Sequence, residues 1–202
     1  MIIFLQATVE GLSLAAIYSL VAIGFVLIYK AMEVLSFAQP ALAVVGAGII
    51  SSLAVDRGIS FWLALFLGVL LTGILGLLIE RTFLRTMVGE PVFSVAVLTI
   101  GIDILFRTVL DSWIGINPKY MGDPFPTYGN FGALKIGGVN IKFLELAALV
   151  TAVVLIILLT IFFRKSKYGI AMRATSYDQE AAMAQGINVG RIFGLVWMIA
   201  GI

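Results

Sequence analysis

Few residues of this chain are able to carry chemistry, and two of them are opposite charges within one apolar stretch. Asp103 and Arg107 stand four residues apart in Val92–Leu110. An acid four residues before a base meets it on one helix face, so we expect an ion pair. The chain has no histidine and no cysteine. This excludes disulfides, thiol chemistry and histidine-based metal sites, and we predict no metal site and no cofactor.

The composition predicts that these residues belong to a membrane protein. Of 202 residues, 61% are apolar and 12% charged, with a mean hydropathy of +1.13. A helix of about 20 apolar residues crosses a hydrocarbon core of roughly 30 Å. We therefore predict an all-α, polytopic transmembrane helix bundle that forms a single domain, 1–202. Five complete spans are expected at Leu12–Tyr29, Ala38–Ala54, Phe61–Ile79, Val92–Leu110 and Phe143–Phe163, and a sixth, starting near Ile192, is expected to be cut off at the C-terminus.

The distribution of basic residues predicts the orientation. With the N-terminus outside, the inner segments hold eight Lys and Arg and the outer segments four, and basic residues in short loops stay cytoplasmic. Segment 111–142 then forms an external, turn-rich loop and segment 164–191 a cytoplasmic loop. Glu80 is interpreted as an orientation anchor at the basic end of the third span.

Small residues at four-residue spacing predict where helices approach closely. They form one stripe in the first span and one in the third, comprising Gly11, Ala15 and Ser19, and Gly68, Thr72 and Gly76.

The cytoplasmic loop contains a polar, alanine-rich stretch, TSYDQEAAMAQG, at residues 175–186. We expect Ser176 to be the N-cap of a helix over Tyr177–Gln185, with Gln179 completing a capping box and Gly186 in the left-handed C′ position. The helix lacks the basic rim and broad apolar face of a lipid-surface helix. It either links two spans or docks into a protein groove, and the residues alone leave both possibilities open.

Part of this stretch matches a known motif. EAAMAQG, Glu180–Gly186, has the form EAA-x-x-x-G and resembles the cytoplasmic coupling motif of bacterial ABC-import permeases. The preceding KYGIAMRATSYDQ and the N-terminal GLSLAAIYSLVAIGFVLIYKAMEVLSFAQPALAVVGA resemble branched-chain amino acid permeases of the LivH type. Two departures occur. Ser36-Phe37-Ala38-Gln39-Pro40 stands where the family has Asn-Phe-Ala-His-Gly, and Val196 stands where many such permeases have isoleucine.

The resemblance implies a multi-pass subunit of the bacterial inner membrane in an importer of branched-chain amino acids. Its implied partners are two cytoplasmic ATP-binding subunits, a second permease subunit, identical or related, and an extracytoplasmic solute-binding protein. The implied contacts with the ATPases are Tyr177, Asp178, Glu180, Ala181, Ala182 and Gly186. The implied pathway residues are Ser36, Phe37 and Gln39, although Gln39-Pro40 also suits a plain helix start. Asp103 and Arg107 are interpreted as a structural pair that locks the fourth helix to its neighbours.

Other functions remain open from the sequence. Related permeases for urea or short amides fit the same features, and an ATP-independent carrier or channel would also explain the bundle. An enzyme is not predicted, because the chain has no paired acids, no nucleophile beside a base and no G-x-x-x-x-G-K-[ST] motif. The net charge of +2 gives no indication of nucleic-acid binding.

Overall fold

The fold is built from helices that are long enough to span a bilayer. The computed structural model describes residues 2–87, 90–115, 133–136 and 139–202. Within these ranges, five helical segments are long and apolar enough to cross a membrane. They are Ile2–Met32, Gln39–Asp56, Phe61–Met87, Val92–Ile114 and Phe143–Lys165. The predicted all-α, polytopic architecture is therefore confirmed.

Each of the five helical segments extends beyond at least one end of its predicted span. The regular α-helices are α1 (Ile2–Met32), α2 (Gln39–Ser51), α3 (Phe61–Ile79), α4 (Val92–Ile114), α5 (Phe143–Lys165), α6 (Lys167–Tyr177), α7 (Gln179–Ala184) and α8 (Val189–Gly201). α1 begins ten residues earlier than predicted, since the polar pair near its start satisfies itself: Gln6 Nε2 donates to Glu10 Oε1 at 2.9 Å. Both of these side chains are therefore hydrogen-bonded within the helix.

Two of the spans end in wider, π-helical turns. α2 continues into Ser52–Asp56, and α3 continues into Glu80–Leu84, which is followed by a 3₁₀ turn at Arg85–Met87. Isolated π-turns often occur at functional sites. The turn after α3 places Glu80 in the interior, with 1% of the residue exposed.

The stripe of small residues on α3 is a packing surface, as predicted. A Cβ added to Gly68 would overlap the side chain of Ile50 on α2, and one added to Gly76 would overlap the carbonyl of Trp197 on α8. Thr72 is buried and bonds within its own helix, Oγ1 to the Gly68 carbonyl at 2.6 Å. α3 is thus held between α2 and α8 at backbone distance.

The corresponding stripe on α1 packs only in part among the described residues. Gly11 and Ala15 are exposed, and a Cβ on Gly11 would meet no described atom within 4 Å. Ser19 is half-buried and lines a groove between α1 and α5. The predicted close approach of a neighbouring backbone is therefore not seen at Gly11 among the described residues.

The core lies at the end of the bundle where α1 ends and α8 begins. α8 inserts Val196 and Trp197 among the last turns of α1, and both residues are at most 1% exposed. The indole Nε1 of Trp197 donates to the sulfur of Met32 at 3.3 Å. This contact joins positions 165 residues apart in sequence, so the core ties the chain's first helix to its last.

The region predicted as an external loop contains a short hairpin next to α5. β1 (Ala133–Ile136) pairs antiparallel with β2 (Val139–Lys142), with Ala133 opposite Lys142. α5 starts directly after β2, and the backbone N–H of Lys142 donates to Glu145 Oε2 at 3.2 Å. Residues 116–132 and 137–138 of the predicted loop lie outside the described residues.

Candidate functional site

The segment between α5 and α8 is a chain of short helices. α6 starts abruptly because the hydroxyl of Ser166 accepts the Gly169 N–H at 2.9 Å. Gly169 lies so close to the end of α5 that a Cβ would sit 2.6 Å from the Phe162 carbonyl oxygen. Met172 and Thr175, each at 0% exposure, anchor α6 to the bundle. This helix was missed from sequence, because segment 164–191 was treated as a loop with one helix.

The next helix, α7, has a different N-cap from the predicted one. Asp178, extended at φ −161° and ψ 108°, accepts the Ala181 N–H through Oδ1 at 2.9 Å. Ser176 belongs to α6 and donates its hydroxyl to the Arg173 carbonyl at 3.0 Å. Tyr177 is likewise the last residue of α6. The prediction of a capping box at Ser176 was wrong, since α6 runs through the position where the cap was expected and the break falls at Asp178.

The C-terminal end of α7 follows the predicted geometry. Gly186 has φ +82°, the left-handed conformation that glycine adopts without strain. Its N–H donates to the Met183 carbonyl at 2.9 Å, and the Ile187 N–H donates to the Ala182 carbonyl at 3.0 Å. These two bonds form a Schellman motif. With Asp178 at the other end, six residues are fixed as a helix that is too short to be stable in isolation.

α7 has an inner and an outer face. Ala182 is 3% exposed and packs inward, so it supports the helix and offers no surface to a partner. Glu180, Ala181 and Met183 are exposed, and Tyr177, just before the helix, is 90% exposed. The outer face therefore presents one aromatic ring, one thioether and two carboxylates, those of Asp178 and Glu180.

α7 is followed directly by α8, a partly buried helix. Asn188 caps α8 by accepting the Arg191 N–H at 3.0 Å, and one residue, Ile187, separates Gly186 from this cap. A Cβ on Gly190 would lie 2.6 Å from the guanidinium of Arg85, and one on Gly194 would lie 3.1 Å from Glu80 Oε2. α8 therefore follows α7 directly and approaches the end of α3 closely at these two glycines.

Glu80 and Arg85 form a connection that the sequence analysis did not identify. Arg85 Nε lies 4.0 Å from Glu80 Oε1, which has no hydrogen-bond partner among the described residues. Glu80, interpreted from sequence as an orientation anchor, is buried next to α8, and its role in orientation stays a prediction. The sequence offers one hint: Gly190 and Gly194 are four residues apart and so share one face of α8.

The predicted pathway residues lie in the irregular connection between α1 and α2 and at the first residue of α2. Ser36 is 1% exposed and Gln39 is 5% exposed, whereas Phe37 is 44% exposed. The Phe37 N–H donates to Thr99 Oγ1 on α4 at 3.1 Å, and Gln39 Nε2 donates to the Ala200 carbonyl on α8 at 2.7 Å. These two bonds tie the segment between α1 and α2 to α4 and α8, and Thr99 was not identified from sequence.

Two polar atoms of this connection are buried and lack a partner in the part of the chain that the structure describes. They are the Ser36 hydroxyl oxygen and Gln39 Oε1. A buried polar atom without a hydrogen bond costs about 1–3 kcal/mol. α2 does start at Gln39 with Pro40 in its first turn, as predicted. A helix start alone, however, does not explain why the polar groups of Ser36 and Gln39 are buried.

Asp103 and Arg107 meet as their spacing predicts. Arg107 Nε donates to both carboxylate oxygens of Asp103, at 2.9 and 3.0 Å. Half of the Arg107 side chain is exposed, against a fifth of that of Asp103. The described hydrogen bonds and ion pair of the two residues lie within α4. Their interpretation as a lock between α4 and its neighbours stays a prediction.

Taken together, the five spans, the short capped helix between α5 and α8 and the buried polar connection define a polytopic membrane protein. The family model described as "Branched-chain amino acid transport system / permease component" matches residues 7–202. The chain therefore belongs to this family of permeases. It is a multi-pass protein of the inner membrane.

Curated relatives agree with this assignment. The chain is 26% identical over 206 residues to the high-affinity branched-chain amino acid transport system permease protein BraD of Pseudomonas aeruginosa. It is 24% identical over 204 residues to LivH of Escherichia coli K12, described in the same words. Each match covers 97% of this chain and 66% of the relative. A probable branched-chain amino acid transport permease protein LivH of Methanocaldococcus jannaschii is 26% identical over 194 residues, which is 93% of this chain and 61% of that protein. The chain thus spans about two thirds of the length of these relatives, and no solved structure matches it.

Proposed function

We propose that this chain is a transmembrane subunit of an ABC importer for branched-chain amino acids. It contributes to the translocation path and receives mechanical work from separate ATPase subunits through α7. The observation that carries this proposal is the construction of α7: six residues capped at both ends, with an exposed outer face and a direct connection to the buried α8. The branched-chain substrate is the one for which BraD and LivH are named.

The construction of α7 favours an ATP-driven importer over an ATP-independent carrier. A loop that only connected two spans would need neither an N-cap nor a Schellman motif, nor an exposed tyrosine at 90%. The slim outer face suits a groove on a soluble partner, and the carboxylates of Asp178 and Glu180 suit basic groups at its rim. The partners proposed are two ATP-binding subunits, a second permease subunit and an external solute-binding protein.

The proposed path passes the connection between α1 and α2. Ser36 and Gln39 present unpartnered oxygen atoms in a buried position where the backbone is irregular. Transporters place irregular backbone and polar groups where a polar solute crosses. In this proposal the two oxygen atoms contact the solute or the water that accompanies it. In this proposal Phe37, whose side chain is exposed, contributes only its backbone to the path.

Cysteine crosslinking in the assembled importer tests the role of α7, since the chain has no cysteine of its own. Tyr177→Cys, on the outer face, is expected to crosslink to an ATPase subunit carrying single cysteines along its surface groove. Ala182→Cys, on the inner face of the same helix, is the matched control and is expected to give no crosslink. Crosslinking of neither variant, or of both equally, would contradict the docking role.

A further inference from the structure

A groove between α1 and α5 has the composition of a lipid site. It has a volume of about 590 Å³, and its walls are formed by Ala22, Ile23 and Val26 of α1 and Ile156, Leu159 and Phe163 of α5. The two hydroxyls in it are satisfied by their own helices. Ser19 donates to the Ala16 carbonyl at 2.7 Å and Thr160 to the Ile156 carbonyl at 2.7 Å. Neither hydroxyl therefore needs a hydrogen bond from a polar ligand.

One end of the groove is basic. Lys30 from the last turn of α1, Arg164 from the last turn of α5 and Arg173 from α6 line the same end. All three are exposed, and none takes part in an ion pair with a described residue. Three separate helices thus bring three cations to this end of the groove, where no described carboxylate lies within ion-pair distance of them.

The length of the groove matches one leaflet of a bilayer. Its α1 wall runs from Ser19 to Lys30, and about 11 residues at 1.5 Å rise give roughly 16 Å. This is about half of a hydrocarbon core of roughly 30 Å. The apolar part therefore lies at the depth of an acyl chain, and the cations lie at the depth of the headgroup phosphates.

We propose that this groove binds an anionic diacyl phospholipid, with an acyl chain along the α1 and α5 walls and the headgroup phosphate held by Lys30, Arg164 and Arg173. Basic pockets between transmembrane helices bind anionic headgroups, and each Lys or Arg near the membrane surface adds to the attraction. A helix from another protein would fill the apolar part but would leave the three cations unpaired unless it carried matching acids. The lipid satisfies both parts of the groove.

Native mass spectrometry of the detergent-purified full-length protein tests this proposal. We expect phosphatidylglycerol to be retained at least fivefold more than phosphatidylcholine with the same acyl chains. The triple variant Lys30→Gln, Arg164→Gln, Arg173→Gln is expected to abolish this preference. The matched control Arg81→Gln, Lys165→Gln, Lys167→Gln removes equal charge outside the groove and is expected to keep it. Equal retention of both lipids, or equal loss in both triple variants, would overturn the proposal.

A second measurement locates the acyl chain. Phosphatidylglycerol with a photoreactive acyl chain is expected to label peptides covering 19–30 or 156–164, and Ala22→Trp, which fills the groove, is expected to reduce this labelling severalfold. Labelling spread over the other spans, labelling unaffected by Ala22→Trp, or displacement of the lipid by millimolar glycerol phosphate would overturn the proposal. Neither measurement involves ATP or transport, so the result is independent of the proposed import function.

Discussion

Ser36 is a residue at which a structural role and a transport role predict different effects of a mutation. Its hydroxyl is buried and lacks a described partner, so it costs stability where it stands. A residue retained only for packing would be better as alanine. A hydroxyl that contacts a passing solute, by contrast, is useful only during transport.

We predict that Ser36→Ala leaves stability unchanged or raises it by up to about 1 kcal/mol and lowers the uptake rate severalfold. Thermal unfolding in detergent and uptake into proteoliposomes of the assembled importer measure the two quantities. Ser112→Ala is the control, because that hydroxyl is exposed and bonds to the Thr108 carbonyl within its own helix. Unchanged uptake in Ser36→Ala would remove Ser36 from the path.

The helix caps carry the argument at the scale of the element. Sequence rules identified a helix in this region and its glycine terminator, since capping preferences are local. They placed the N-cap two residues early, because Ser176 and Asp178 are both good caps. The choice was decided by Met172 and Thr175, whose burial extends α6 through Ser176.

Asp178→Ala is predicted to destabilise α7 by about 1 kcal/mol, the usual cost of losing a side-chain cap. Hydrogen exchange at the Ala181 amide should accelerate roughly fivefold, since this amide donates to Asp178. Ser176→Ala is the matched variant and should leave this amide unchanged. The reverse pattern would restore Ser176 as the cap.

Contact between α3 and α8 depends on Gly76. A Cβ there would overlap the Trp197 carbonyl, so Gly76→Ala must move one backbone away from the other. We predict a destabilisation of about 1–3 kcal/mol, typical of overpacking, seen as a lower unfolding temperature. Gly101→Ala, where no described atom lies within 4 Å of the new Cβ, should be neutral or slightly stabilising. Equal effects of the two changes would contradict the close approach of α3 and α8.

At the scale of the whole molecule, the orientation of the bundle remains a prediction from the distribution of basic residues. Arg57 and Tyr177 are exposed at opposite ends of the described spans. In intact cells, a membrane-impermeant thiol reagent should label Arg57→Cys, and it should label Tyr177→Cys only after permeabilisation. Labelling of Tyr177→Cys in intact cells would reverse the orientation and exclude docking of cytoplasmic ATPases on α7.

The sequence by itself determined the membrane class, the five spans, the Asp103–Arg107 contact and the left-handed turn at Gly186. Each of these follows from the length of an apolar run or from the chemistry of neighbouring residues, which is local. The tertiary structure decided which small-residue stripe packs, which carboxylate caps α7, and that Glu80, Thr99 and Gln39 are buried against other helices. Those outcomes depend on which helices become neighbours, and contacts such as that between Met32 and Trp197 join residues too distant in sequence for any local pattern to record.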